Sequence, residues 1–109
     1  MPWLIRDSEV LAALEVAETR RDRTRGLLGR DGIDGGFLIR PARQVHTFGM
    51  RFAIDVAFCT RDLVVVSTIC MPRNRVSRVS LRGSCIIEAE AGAFERWRLR
   101  AGDELEIRE

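Results

Sequence analysis

Residues 52–59, FAIDVAFC, alternate cleanly between two sets of positions. Phe52, Ile54, Val56 and Phe58 fall on one face, and Ala53, Asp55, Ala57 and Cys59 on the other, which is the period of a strand. Residues 10–18 and 37–39 also read as strands. Residues 44–50, QVHTFGM, mix strand formers with Gly49. Residues 63–71, LVVVSTICM, are β-branched enough to predict a buried strand. Residues 84–90 form another, and Leu105 and Ile107 alternate with charged neighbours in a last one. Arg61-Asp62 fits a hairpin turn, and Asp34-Gly35-Gly36 and Ala101-Gly102-Asp103 are further turns.

Two helices are expected between these strands. Thr19 can cap the first, with Asp22 three residues on. Thr24, Leu27 and Leu28 then share a helical face, and Gly32 can end a helix over residues 20–30. Residues 93–99 fit a second, short helix with Phe94 and Trp97 on one side. Six or seven strands and one or two short helices predict a mainly β, β-rich α+β fold. The expected arrangement is one compact antiparallel barrel- or sandwich-like domain over residues 1–109.

Composition narrows the chemistry more than the fold. All 18 basic residues are arginine, so every mechanism that needs a lysine is excluded, and there is no tyrosine to act as an acid. His46 is the single histidine, which excludes a metal site of two or three histidines from one chain. Cys59, Cys70 and Cys85 have no zinc-type spacing and read as small buried hydrophobes in a reducing compartment. No metal or cofactor is expected. The N-terminus lacks a basic region followed by a long apolar run, so the chain is expected to be cytoplasmic, with no membrane association.

The net charge of +2 hides a segregation of charge. Residues 20–30 and residues 70–85 are both strongly basic, whereas residues 86–109 are acidic. The second basic segment carries Arg73, Arg75, Arg78 and Arg82 with no acid. It has no interleaved aromatic, so nucleic acid is not the expected partner. The default reading of this segment is a solvated loop, and the other is a site for phosphate or an acidic partner.

Three stretches together resemble the DUF192 family of uncharacterised proteins. They are Arg23-Thr24-Arg25-Gly26-Leu27-Leu28-Gly29-Arg30, the run from His46 to Phe58 centred on Phe48-Gly49-Met50 and Asp55, and Ile87-Glu88-Ala89-Glu90-Ala91-Gly92 with Ala101-Gly102-Asp103. The resemblance spans roughly residues 10–108 and implies a barrel-like β-rich fold with a packed helix. It implies no reaction. Many members have tryptophan where Gly49 stands, which puts ligand stacking by that residue in doubt here.

The candidate chemistry centres on His46, because an imidazole ionises near neutrality. If residues 44–48 paired with residues 52–59, Asp55 could approach it. Otherwise His46 is a hydrogen-bonded residue at a strand end. Asp55 is a poor strand former in a strong strand, so it needs a partner. Arg25 is the expected one, clamping the helix onto the sheet. Gly26 inside a helix implies close approach of helix and sheet, with room for a ligand as the other reading. Met50 fills the core or, with His46 and a cysteine, would suit Cu(I). Glu88 and Glu90 share a strand face, as an acid–base pair or as a solvated face.

Three functions fit these residues. The first is a binding module whose cleft lies near His46, Thr47, Met50, Arg51 and Arg25, taking a small anionic ligand or an acidic protein segment. The second is a structural domain of a larger complex with an exposed apolar patch, to which Trp3, Phe94 or Trp97 could contribute. The third is a small enzyme using His46 with Asp55 or Glu88. Gly26, Gly92, Gly102, Asp103 and Asp55 carry the structural motifs. Oligomeric state is left open.

Overall fold

The computed structural model describes residues 1–109. The strands are β1 (Trp3–Arg6), β2 (Glu9–Ala17), β3 (Gly36–Ile39), β4 (Ile54–Cys59), β5 (Val65–Met71), β6 (Cys85–Glu90) and β7 (Glu106–Arg108). The helices are α1 (Arg20–Arg25) and α2 (Ala93–Trp97). All seven strands form one sheet in the order β5-β4-β6-β3-β2-β1-β7. Every neighbouring pair is antiparallel except β2–β3, which is parallel and is joined through α1.

The two edges of the sheet meet at one place. Val64 bridges Glu104, and Val65 N–H donates to the Asp103 carbonyl at 2.9 Å. Gly102 N–H and Leu105 N–H also donate to the Val65 and Leu63 carbonyls at 2.8 and 2.9 Å, but β5 and β7 themselves do not pair, so the sheet is mixed and incompletely closed.

Strands β3, β4 and β6 are buried along nearly their whole length because both faces of the sheet are covered. Ala57, Cys59, Ile87 and Ala89 pack with Leu4, Leu14, Phe94 of α2 and Leu105 in one core. Ile54, Val56, Phe58, Phe37 and Ile86 pack on the other face beneath Leu27, Val45 and Met50. The alternation read in residues 52–59 therefore sorts side chains between two cores, with neither face solvated.

Several expectations need correction. Strand β1 was not foreseen: four residues between Pro2 and Asp7 are too few for a periodic signal. Helix α1 ends at Arg25, where Gly26 takes φ 52° and ψ −128°, a conformation that excludes a side chain on an L residue. No atom would lie within 4 Å of a Cβ at Gly26, so this glycine stops the helix and does not admit the sheet. Gly32 caps nothing. Thr19 does cap α1, its Oγ1 accepting from Asp22 N–H at 3.0 Å.

Residues 44–50 form no strand of the sheet. They run beside residues 74–77, through a bridge from His46 to Val76. Strand β5 is a sheet edge with largely half-exposed residues, not a buried strand. Cys70 on it is exposed, whereas Cys59 and Cys85 face each other, buried, across β4 and β6.

Asp103 ties the chain ends together. Its Oδ2 accepts from Arg6 at 2.9 Å and from Arg100 N–H at 3.0 Å, while Arg6 also donates to the Trp97 and Arg98 carbonyls. Gly102 precedes it with φ 95°, as the turn requires.

Candidate functional site

Asp55 faces away from Arg25. Its Oδ2 accepts from Gly92 N–H at 2.9 Å and Phe94 N–H at 3.0 Å. The expected Arg25–Asp55 clamp is absent because Asp55 points to the α2 side of the sheet, whereas α1 leads into the opposite face. A strand aspartate did need a partner, and it found the unpaired amides that begin a helix. His46 and Asp55 likewise do not meet, since residues 44–48 pair with the loop around Val76.

The side of the sheet that holds Ile86 carries a cleft of about 380 Å³, toward the small end of the range for small-molecule sites. Its buried walls come from Leu27, Ile39, Val45, Met50 and Ile86. Arg20, Arg23 and Arg25 of α1 line it, with Gln44 and His46 opposite and Glu88 among the apolar side chains. Arg20, Arg25 and His46 are exposed and Arg23 is half-buried, so the arginines form the rim and Glu88 the floor.

The charges of the cleft are not matched within the fold. The ion pairs of the protein are Arg6–Asp103, Arg30–Glu15, Arg51–Asp31 and Arg108–Glu106, so the three rim arginines hold no carboxylate. Glu88 is 5% exposed. Burial alone pushes its carboxyl up to about 7, with no hydrogen bond or nearby charge opposing the shift. No fully shielded side-chain polar atom lacks a partner. The unbonded Glu88 oxygens therefore keep what little exposure the residue has, and that exposure is to the cleft.

Of the residues singled out from sequence, His46, Met50, Arg25 and Glu88 line this cleft. Thr47 does not. It is fully buried, its hydroxyl donating to the Pro72 carbonyl at 2.7 Å and accepting from Arg75 N–H. Arg51 pairs with Asp31 on the surface. Glu90, the strand-face partner of Glu88, is exposed. His46 stacks on Phe48, ring centroids 5.6 Å apart, and makes no hydrogen bond to Glu88. No cysteine reaches the cleft, which separates Met50 and His46 from the third ligand a copper site would need. Arg20, Arg23 and Gln44 were not singled out individually, because their convergence depends on how α1 and residues 42–46 flank β6.

The aromatic residues considered for a docking patch do not make one. Phe94 is buried and Trp97 is half-buried against the core, which leaves Trp3 of β1 as the exposed one of the three. Three of the eight exposed large apolar side chains, Val76, Val79 and Leu81, lie in the basic loop, and the others are spread along the chain. No helix is long and apolar enough to cross a membrane.

The family model for DUF192, described as "Uncharacterized ACR", matches residues 4–107. No curated protein matches the sequence. Two crystal structures share the fold. A protein of unknown function from Novosphingobium aromaticivorans is 17% identical, with a TM-score of 0.77 over 96% of this chain and 82% of that one. A "putative transcription regulator" from Sinorhizobium meliloti is 22% identical, with a TM-score of 0.77 over 96% of this chain and 90% of that one. At these identities the likeness concerns the fold alone.

Proposed function

This chain belongs to the DUF192 family, and for it we propose a binding module that takes a small anionic ligand in the cleft between α1 and residues 42–46. The observation that carries the reading is the convergence of Arg20, Arg23 and Arg25, none in an ion pair, on one concavity. Guanidinium groups suit carboxylate and phosphate oxygens because their donors form a planar fork. Thr24 on α1, and Gln44 and His46 opposite it, add polar groups to the cleft.

The test is calorimetric titration of inorganic phosphate and of a dicarboxylate into the protein at low ionic strength. Binding is expected, weakening as salt is added because the rim is solvent-exposed. It should be lost when Arg20, Arg23 and Arg25 are together replaced by serine. Absence of binding by either anion to the wild type would end the proposal.

A second reading is acid–base catalysis by Glu88 with His46. The observation that favours it is a carboxyl pushed up to about 7 in the same cleft as the imidazole. Asp55 takes no part in it, being bound to α2 on the other face.

A further inference from the structure

We propose that the anion bound in this cleft also carries a hydroxyl or amino group, with its anionic end among Arg20, Arg23 and Arg25 and its donor on the Glu88 carboxyl. This rests on the anion-binding reading above and adds a second recognition element to it.

Glu88 is a costly residue where it stands. Its cross-strand neighbours are Phe37 on β3 and Val56 on β4, and its companions on the same strand face are the buried Ile86 and the exposed Glu90. A leucine would suit this environment better, since burying a polar group without a hydrogen bond is unfavourable. The fold offers the carboxyl nothing. Arg30, which could have reached in from the side, is held by both oxygens of Glu15 at 2.9 Å and lies over the Phe37 ring. The rim arginines stay outside ion-pair distance.

The cleft therefore presents two unlike ends, a cationic rim and an acidic floor, separated by apolar wall. A bare anion would satisfy the rim and leave the floor unmatched. A molecule that carries both an anionic group and a hydrogen-bond donor would satisfy both, and about 380 Å³ is room for one of modest size.

Three phosphates separate the two elements: ethyl phosphate, which lacks a donor at its far end, glycerol phosphate with hydroxyls, and phosphoethanolamine with an ammonium group. Each is titrated calorimetrically into wild type and into Glu88→Leu at low salt and pH 8, where the Glu88 carboxyl is ionised. Glycerol phosphate or phosphoethanolamine is expected to bind wild type at least about tenfold more tightly than ethyl phosphate, the worth of one hydrogen bond to a charged group. In Glu88→Leu that ratio should fall to about one. Glu88→Gln is the alternative should the leucine variant not fold. It keeps a carbonyl acceptor but no negative charge, so it should reduce the phosphoethanolamine preference more than the glycerol phosphate preference. Equal binding of all three phosphates by wild type would overturn the inference and leave anion binding intact, as would a preference that survives in Glu88→Leu. Failure of all three to bind would overturn both.

Discussion

The Asp55 carboxylate on β4 accepts the backbone amide of Phe94 at 3.0 Å, and with it the amide of Gly92. One strand residue thus holds the start of α2 against the sheet, and Phe94 is drawn into the core that holds Leu38 and Ile87. This junction is structural. It lies on the opposite face from the cleft with Glu88 and His46.

Replacing Asp55 with alanine removes the acceptor from two amides, one of them buried. A loss of about 3 kcal/mol in unfolding free energy is expected, from the usual worth of hydrogen bonds to a charged group. Asp55→Asn keeps one oxygen and should recover part of it. Urea denaturation monitored through tryptophan fluorescence measures both, and an alanine variant as stable as wild type would show that the junction carries no weight.

Glu88 gives stability a dependence on pH. Its carboxyl ionises at about 7 in the folded protein against 4.5 ordinarily, so the native state keeps a proton that the unfolded chain has released. The associated stability is present below pH 4.5 and is lost as pH rises through about 7, with a total of at most about 3 kcal/mol. Glu88→Leu should lack this slope and melt above wild type at pH 8. Parallel melting curves for the two proteins across this window would contradict the burial argument.

Gly26→Ala should destabilise the protein by about 1–3 kcal/mol although the site has open space around it. The cost is conformational, because φ 52° with ψ −128° is a glycine conformation. The check is a melting comparison with Ala42→Gly, a loop substitution of opposite sense at the cleft, which should have a smaller effect.

Thiol reactivity should split one to two. Cys70 is exposed, while Cys59 and Cys85 are buried. Partial desolvation and the neighbouring Asp55 hold the Cys70 thiol above its ordinary range, so its modification should be slow at neutral pH and accelerate in alkali. Cys59 is pushed up further by its contact with the Cys85 thiol and by burial. A chromogenic disulfide reagent should titrate one thiol in the native protein and three after unfolding. Cys70→Ser should abolish the native reaction.

Much of the fold was legible because it is written in local periodicity. The alternation of residues 52–59 places β4 to within two residues, and Thr19 marks the start of α1 through a hydrogen bond to Asp22 that spans three positions. Elements that depend on distant partners were not legible. Residues 44–50 contain good strand formers, yet their neighbour is the loop around Val76, thirty residues on. The β-branched run of residues 63–71 looks buried in isolation, but β5 is an edge strand, buried at Val65 and Met71 and half-exposed or exposed between them.

The candidate site divides in the same way. From sequence alone, the need of Asp55 for a partner followed from its residue type in a strand. So did the shared face of Glu88 and Glu90, and so did the separation of arginines into two basic segments. These are properties of single residues or near neighbours along the chain. Only the tertiary structure decided that Asp55 serves α2 and not Arg25, because the two sides of β4 face different cores. It also decided that Glu88 is buried while Glu90 is exposed. Burial is a property of what packs over a strand, and the segments around Leu27, Val45 and Met50 that cover this part of the sheet come from far along the chain.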